Sequence, residues 1–289
     1  MILVTGAAGK TGRHVIQDLV GAGARVRALV HSREHVQRVE EIGPIEVLHG
    51  DMADRGIMDQ AVLGIQAVYH IPPNVHPDEV AIGQTVISAA QSAEVEHFVY
   101  HSVLHPHIEA MPHHWQKMRV EEQLLTCGLA FTILQPAAYM QNILAQWDTL
   151  IGEGSYRVPY PLETRSSLVD LKDVAEAARL VLTEDGHDGA TYELTGTTPM
   201  SQIEVAQTLS DVLGRDVSAE STPIDVWKRG ALDAGLGTYA IATLTQMFQY
   251  YGHHDFVGSP QILSWLLERP PTTLTEAIER ERRRRENGN

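Results

Sequence analysis

The first twelve residues constrain the fold of this chain more than any other segment. A short apolar run, Ile2–Thr5, is followed at once by Gly6, Gly9 and Gly12, and then by an amphipathic helical pattern. A strand, a glycine-rich turn and a helix N-terminus form an anion site, because free N–H groups and the positive end of the helix dipole point at the turn. The first glycine permits the tight turn, the second lets a pyrophosphate approach, and the third lets the helix pack on the strand. The segment therefore predicts dinucleotide binding.

Short apolar runs and amphipathic helical patterns alternate through the first half of the chain. Such units with short connections predict a parallel sheet covered on both faces, and right-handed crossovers make it a doubly wound α/β sheet. Its ligand site is expected at the carboxyl ends of the strands. The predicted strands are Ile2–Thr5, Arg25–Val30, Ile45–Leu48, Ala67–Ile71, His97–His101 and Phe131–Leu134. The predicted helices lie near 11–22, 33–42, 54–63, 78–93 and 113–126.

The alternation of strands and helices stops near residue 150. A turn-rich aromatic segment, Gly152–Pro161, is followed by mainly helical sequence that contains no second glycine fingerprint. The helix predicted at Ser201–Leu213 begins with a capping box. We predict a dinucleotide-binding domain over residues 1–150 and a smaller, partly interleaved substrate lobe over residues 151–289, which closes over the cofactor.

The composition argues against several classes of partner. The formal net charge of −15 disfavours nucleic acid, because the chain would repel its phosphates. No apolar run reaches about 18 residues, so no membrane span is predicted, and the strand that follows Met1 leaves no room for a signal peptide. The single cysteine, Cys127, excludes an internal disulfide and favours a reducing compartment, so we expect a cytoplasmic protein. The sequence leaves a homodimer open.

The residues that follow the second strand decide between NAD and NADP. An acidic residue there binds the ribose 2′-hydroxyl, whereas a basic residue accommodates a 2′-phosphate. This chain has the sequence VHSR at Val30–Arg33 and no carboxylate before Glu34. The planar guanidinium of Arg33 suits a phosphate, and Ser32, His31 and Lys10 could assist it. Thr11 in the glycine turn is a further cofactor-binding candidate. We therefore expect NADP(H) to be preferred over NAD(H).

Five segments of the chain, taken together, carry a family resemblance. They are Thr5–Arg13, His49–Met52, Ile71–Pro73, His97–Val103 and Val169–Ala175. As a set they resemble the NmrA-like branch of the atypical short-chain dehydrogenases, and the resemblance covers nearly the whole chain. It implies a Rossmann-type fold. The branch includes NADPH-dependent quinone oxidoreductases, isoflavone-type reductases, and redox-sensing regulators that have no turnover.

The same resemblance implies cofactor contacts beyond the glycine turn. Asp51 and Met52 would contact the adenine. The segment that follows the fourth strand would pass over the cofactor, and the end of the sixth strand would border the nicotinamide. The residues concerned are Ile71, Pro72 and Pro73 in the former and Pro136, with its neighbours Gln135 and Ala137, in the latter.

Residues 102–117 depart from the usual catalytic pattern of short-chain dehydrogenases, which pair Tyr-x-x-x-Lys on a helix with a serine at the end of the preceding strand. Hydride transfer to a carbonyl needs a positioned nicotinamide and a group that protonates or polarises the oxygen. Ser102 and Lys117 match the serine and the lysine, but the tyrosine position holds His113, and the chain contains no Tyr-x-x-x-Lys. The proton donor is either His113, whose ordinary pKa of about 6.5 suits neutral pH, or Lys117, which we favour.

Histidines crowd the segment that leads into this helix without predicting a metal site. Zinc sites have regular ligand spacing and usually a cysteine or carboxylate ligand, and neither is evident here. The histidines are His101, His105, His107, His113 and His114. We expect no bound metal.

Aromatic and polar residues near the junction of the lobes predict an apolar pocket for a planar substrate. Trp115, Tyr139 and Asn142 are expected to face it, and Met140, Trp147, Tyr156 and Tyr160 are further candidates. The sequence therefore indicates an NADP(H)-dependent oxidoreductase that acts on a small carbonyl, quinone or conjugated compound. Its rival is a non-catalytic, dinucleotide-sensing regulator that acts through a protein partner, which the missing tyrosine favours.

Overall fold

A computed structural model describes residues 1–287 of the chain, which alternate between strands and helices along most of their length. The strands are β1 (Ile2–Val4), β2 (Val26–Val30), β3 (Glu46–His49), β4 (Ala67–His70), β5 (His97–His101), β6 (Phe131–Pro136), β7 (Ala138–Tyr139), β8 (Ser155–Val158), β9 (Arg165–Ser166), β10 (Leu168–Val169), β11 (Ala190–Leu194), β12 (Met200–Ser201) and β13 (Ser218–Ser221). The helices are α1 (Lys10–Gly21), α2 (Val36–Glu40), α3 (Arg55–Ala61), α4 (Glu79–Ser92), α5 (Pro112–Cys127), α6 (Met140–Leu144), α7 (Trp147–Glu153), α8 (Leu171–Thr183), α9 (Gln202–Leu213), α10 (Ile224–Asp233), α11 (Thr238–Tyr251), α12 (Gln261–Leu267) and α13 (Leu274–Glu286).

The main sheet has seven strands in the order β11-β6-β5-β4-β1-β2-β3. Neighbouring strands from β1 to β6 pair in parallel. β11 continues the parallel arrangement, because the Gly189 N–H donates to the Phe131 carbonyl near one end and the Ala137 N–H donates to the Leu194 carbonyl at the other. The strand order reverses between β1 and β4, which opens a crevice at their carboxyl ends. The predicted doubly wound α/β sheet is confirmed.

The first six predicted strands are present with ends that differ by at most two residues, and the largest differences lie in the helices and in β11. The helix predicted near 33–42 is a 3₁₀ turn, Arg33–His35, followed by the single short helix α2. The capping box before α9 is confirmed, with the Ser201 side chain accepting from the Glu204 N–H. The edge strand β11 was not predicted.

The chain divides into two compact units, each built from several segments. Unit 1 comprises residues 1–108, 113–136 and 174–192, and unit 2 comprises the remainder. The chain thus crosses between the units several times, while the predicted division has a boundary at residue 150 and a second lobe partly interleaved with the first domain. The roles assigned to the two parts, cofactor binding and substrate binding, stay a prediction. Among residues 1–287, no helix combines the length and the apolar character that crossing a membrane requires.

The core of unit 1 packs α4 and α5 against the sheet. Buried side chains of both helices, among them Val86 and Val120, cluster with Val68 and Phe98 of the strands. The two helices approach closely at Gly83, where a Cβ atom would lie 2.8 Å from the Val120 side chain. This close approach brings the second turn of α4 against the middle of α5.

Unit 2 has its own hydrophobic core and three two-stranded sheets, β10-β7, β12-β9 and β13-β8. Its core is formed by α6, α7, α9 and α13, with Trp147, Tyr156 and Met140 among the buried residues. Two buried carboxylates fasten the last part of the chain. Asp170 accepts a hydrogen bond from Arg280, and Asp173 accepts from Arg269 at 2.7 Å. We call these two residues and their partners the Asp170/Asp173 anchor.

Candidate functional site

The glycine turn between β1 and α1 has the tight geometry that the sequence predicts. Gly6 has a φ of +59°, and a Cβ atom there would lie 2.9 Å from the Ile71 carbonyl oxygen. A Cβ atom on Gly12 would lie 2.5 Å from the Gly6 carbonyl oxygen, closer than real Cβ contacts allow. Gly9 caps α1 with extended backbone and brings no side chain to the cap. The first turn of α1 is therefore open to an anion, because its N–H groups lack a side-chain acceptor at the cap.

Cationic side chains surround this turn. Burial and the nearby Arg13 lower the pKa of Lys10, and burial and Arg38 lower the pKa of Arg13. The Arg13 Nε atom is buried without a hydrogen-bond partner among the described residues. Like charges held together in this way are stabilised when an anion binds among them, so the region suits a phosphate group.

The other predicted cofactor residues follow the carboxyl ends of consecutive strands. Arg33 lies exposed after β2, and Asp51 and Met52 follow β3. Asp51 accepts from the Ala53 N–H at 2.9 Å, while Met52 is buried in the core of unit 1. Ile71–Pro73 leaves β4 next to the glycine turn. Because parallel strands end at one edge of the sheet, these residues share the edge that carries the crevice.

A side-chain bridge ties β1 to β4 at this edge. The Thr5 hydroxyl donates to the Ile71 carbonyl at 3.2 Å and accepts from the Ile71 N–H at 2.9 Å. Its oxygen also lies 2.9 Å from Nδ1 of His70. The bridge fixes the chain that passes over the glycine turn, and Gly6 must be glycine because this segment lies so close.

Lys117 forms a buried ion pair that the sequence did not predict. Its Nζ donates to Oε1 of Glu79 at 2.6 Å, and the two side chains are 13% and 1% exposed. Tyr100 on β5 also donates to Oε1, at 3.3 Å. Oε2 of Glu79 is buried and has no hydrogen-bond partner within residues 1–287. Lys117 pairs with α4 rather than with Glu121, which lies one turn further along its own helix.

Ser102 is engaged with that neighbouring carboxylate. Its hydroxyl donates to Oε1 of Glu121 in a short hydrogen bond, and the Gln135 amide donates to both oxygens at 2.9 and 3.1 Å. Burial raises the pKa of Glu121, although the two hydrogen bonds oppose the rise. The ends of β5 and β6 and the middle of α5 thus meet at one buried carboxyl group.

His113 is half-buried beside Lys117. Burial, with Lys117 adding to it, lowers its pKa to about 4, so the imidazole is neutral at pH 7. The neighbouring His114 packs edge-on against it, with ring centroids 4.5 Å apart. His113 Nδ1 is buried and unpartnered among the described residues. Its pKa is therefore far from the ordinary value of about 6.5 on which its candidacy as a proton donor rested.

The predicted substrate-pocket residues divide between the two units. Trp115 is exposed on the first turn of α5 in unit 1, whereas Tyr139 and Asn142 belong to unit 2. Their convergence on one pocket stays a prediction. The described residues contain no group of three or more His, Cys, Asp or Glu side chains that could hold a metal ion. A cavity of about 570 Å³ opens at the opposite, amino-terminal edge of the sheet, lined by residues such as Gln66 and His97.

Sequence reasoning missed Glu79, Tyr100 and the role of Glu121. The signals were present but ambiguous. Glu79 reads as an ordinary acidic residue in the first turn of a helix, a position that favours carboxylates in any helix. The spacing of Lys117 and Glu121 equally suits a surface pair on one helix. Only the packing of α4 on α5 shows which carboxylate meets which partner.

Comparisons with known proteins give the family of the chain and its relatives. Residues 1–280 match the model of the NmrA-like family. An NAD(P)H azoreductase of Xenophilus azovorans is 27% identical over 278 residues, which cover 96% of each chain. Quinone oxidoreductase 2 of Escherichia coli is 25% identical over 280 residues, 96% of this chain and 97% of the relative. The crystal structure of Citrobacter sp. triphenylmethane reductase complexed with NADP(H) superposes with a TM-score of 0.83, at 25% identity, covering 97% of this chain and all of that one.

Proposed function

Since the chain belongs to the NmrA-like family, we propose that it is an NADP(H)-dependent reductase that transfers a hydride to a quinone or another small conjugated or carbonyl compound. The glycine turn carries the proposal, because Gly12 leaves no room for a side chain and Gly9 leaves the first turn of α1 open. The names of the relatives, an azoreductase and a quinone oxidoreductase, support the class of acceptor. When bound, the reduced nicotinamide supplies the hydride.

The preference for NADP(H) rests on the cations near the glycine turn. Arg13 and Arg38 lie close enough to interact, and Arg33 is exposed at the end of β2, where a 2′-phosphate is expected. Titrations of NADPH and NADH followed by fluorescence test it. Arg33→Ala should weaken NADPH binding about tenfold or more and leave NADH binding nearly unchanged. Arg55→Ala, which removes an exposed arginine paired with Asp59, is the control. Equal affinities for the two cofactors in the unaltered protein would refute the preference.

Lys117 is the residue that we propose handles the proton, with His113 and Ser102 beside it. Its ammonium has three N–H groups, and Glu79 accepts from one. The remaining two can bind a ribose hydroxyl or polarise an acceptor oxygen. His113 contributes as a neutral imidazole, because its pKa of about 4 excludes a standing positive charge at pH 7.

NADPH oxidation against a panel of quinones, azo compounds, aldehydes and ketones is the decisive experiment. Turnover of one class, strongly lowered but still measurable in a Lys117→Met protein that still binds NADPH, is the expected result. Tight NADPH binding without turnover of any acceptor would refute the reductase and favour the sensing regulator. A search for a protein partner that binds only the NADPH-loaded or only the NADP-loaded chain would then follow.

A further inference from the structure

Glu79 is a buried carboxylate at the start of a helix, and Lys117 is the cation that it meets. It is the first residue of α4, so the helix dipole contributes to stabilising its charge, yet the side chain is almost completely inaccessible to water. A buried charge is costly unless it is paired and hydrogen-bonded. The stability of the buried Glu79 carboxylate therefore depends on the few groups that contact it.

The packing of α4 on α5 fixes this meeting. Gly83 lies one turn after Glu79, and Val120 lies nearly one turn after Lys117. Because a Cβ atom on Gly83 would lie 2.8 Å from the Val120 side chain, the helices approach more closely there than a larger residue would allow. The backbone thus holds the carboxylate and the ammonium at 2.6 Å without an exposed, flexible linkage.

The hydrogen bonds of Glu79 are one-sided. Oε1 accepts from Lys117 and from Tyr100, while Oε2 is buried with no partner among residues 1–287. A carboxylate that served only to fasten two helices would be expected to use both oxygens, because each unpaired buried acceptor costs stability. Glu79 therefore holds the Lys117 ammonium in place although its own Oε2 lacks a hydrogen-bond donor among the described residues.

The other titratable groups that face Lys117 do not provide a competing counter-ion. Those on β4, β5 and α5 include histidines whose pKa values are lowered by burial and by Lys117, so they are neutral at pH 7. They are His70, His101, His113 and His114. The carboxyl group of Glu121 also lies near, but it accepts from Ser102 and Gln135. Glu79 is thus the carboxylate that directly accepts from the Lys117 ammonium.

We propose that Glu79 is a positioning residue: its carboxylate fixes the Lys117 ammonium at the carboxyl edge of the sheet, so that the remaining N–H groups point at bound cofactor and acceptor. The inference rests on the proposed function, because that function assigns a bound cofactor and acceptor to Lys117. Glu79 acts through Lys117 and touches no ligand itself.

A double-mutant cycle tests the coupling. Glu79→Gln, Lys117→Met and the double variant are compared for kcat, for KM of the acceptor and for Kd of NADPH. Glu79→Gln should lower kcat at least about tenfold with KM nearly unchanged, and in the Lys117→Met background it should lower kcat no further. Glu79→Asp, which keeps the charge on a shorter side chain, should recover part of kcat. If Glu79→Gln does not fold, kcat of Glu79→Asp and kcat of the double variant are each compared with kcat of Lys117→Met.

A purely structural role predicts different results. Glu79→Gln would then lower the unfolding temperature while kcat and the NADPH Kd stay unchanged, or its effect would multiply with that of Lys117→Met. Either result overturns the inference. Asp173→Asn, which removes a buried carboxylate of unit 2 that also pairs with a cation, is the control for lost stability alone.

Failure of the proposed function has a separate signature. If the unaltered protein oxidises NADPH with none of the acceptors, the reductase is refuted, and the cycle is read on the NADPH Kd alone. A Glu79→Gln effect on Kd of about tenfold that vanishes in the Lys117→Met background still supports the positioning role. No effect on Kd overturns it.

Discussion

Glu79 in unit 1 and the two buried aspartates of unit 2 have opposite kinds of surroundings. In unit 2, Asp173 accepts from Arg269, from the Thr272 hydroxyl and from the Thr272 N–H, and so uses both oxygens. Asp170 likewise accepts from Arg280 and from the Lys172 N–H. In unit 1, Glu79 leaves one oxygen buried and unpartnered among the described residues.

The difference distinguishes a carboxylate with a structural role from one at a candidate functional site. A fully partnered carboxylate stabilises one arrangement of the chain, because every lone pair that faces the interior has a donor. A carboxylate with one unpartnered oxygen gives up part of that stability, and the groups beside it can still bind a ligand. The Asp170/Asp173 anchor fits the first description, and the Glu79–Lys117 pair fits the second. The sequence pattern around the anchor and around the pair is ordinary, so it does not distinguish the two roles.

Acidification should have the largest effect, and it should fall on unit 1. His70, His101 and His114 have pKa values of about 3 and His113 of about 4, against 6.5 when unfolded. The unfolded chain therefore binds more protons below pH 6.5, so this contribution to stability is fully present above that pH and is lost as the pH falls through the folded-state pKa values of about 4 and about 3. Each histidine contributes up to about 1.4 kcal/mol per pH unit.

Urea unfolding at pH 7 and pH 5, with amide hydrogen exchange to locate the change, measures this loss. His113→Gln should reduce the dependence on pH by about one proton. Equal stability at both pH values, or loss of protection first in unit 2, would contradict the comparison.

Lys117→Met should destabilise the protein more than any other single substitution in either unit's carboxylate pairs, by about 3–5 kcal/mol, because it leaves Glu79 charged, buried and unpaired. Adding Glu79→Gln should restore much of that loss, since no charge then remains. Lys228→Met removes an exposed lysine 3.4 Å from Asp225 and should cost about 0–1 kcal/mol. Urea denaturation of these three variants and the unaltered protein gives the energies. A double variant no more stable than Lys117→Met would show that the pair is not the cause.

Asp173→Asn should cost about 2–4 kcal/mol, because the buried carboxylate loses its charge-assisted bonds to Arg269 and Thr272. NADPH affinity should change by less than about twofold, since the anchor fastens unit 2. Thermal unfolding and a fluorescence titration of the same sample measure both. Loss of NADPH binding in a protein that is still folded would erase the distinction between the two regions.

Apart from the control variants, Gly12→Ala should have the smallest effect on stability, about 1–3 kcal/mol, because its Cβ would lie 2.5 Å from the Gly6 oxygen and the turn must shift. Its effect on NADPH affinity should be larger than that of Asp173→Asn. Gly21→Ala, in the same helix with open space around the new methyl group, should be neutral or slightly stabilising. Unchanged NADPH binding in Gly12→Ala would refute the proposed cofactor turn.

The parallel sheet was predictable because each βα unit carries its own local signals. Apolar runs and glycine turns identify β1 to β6 without knowledge of their neighbours. β11 was not identified because the sequence after residue 150 was interpreted as mainly helical, although Ala190–Leu194 alternates apolar and polar residues as a half-buried strand does. Its pairing with β6 is a long-range property that no local pattern encodes. The short strands of unit 2 escaped prediction for the same reason.

The candidate site was predictable where one strand end determines the contact. The glycine turn and the basic residues near Arg33 can be identified from the sequence directly. The partners of Lys117 and Ser102 do not, because each depends on how α4, α5 and β6 pack together. Glu121 lies four residues after Lys117, a spacing that suits a pair on one helix, but in the structure Glu121 accepts from Ser102, and Glu79 accepts from Lys117. The pKa of His113 likewise depends on burial, which its exposed-looking sequence context does not reveal.

The bond between Ser102 and Glu121 makes the polarity of the serine depend on one proton. While Glu121 is ionised, the only hydroxyl proton of Ser102 is committed to it, so the serine oxygen can meet a ligand solely as an acceptor. Once Glu121 takes up a proton, it can donate to Ser102, and the hydroxyl turns to the ligand as a donor. Burial raises the pKa of Glu121 and so brings this reversal towards neutral pH. The same hydroxyl would then offer an acceptor to a ligand at one protonation state of Glu121 and a donor at the other.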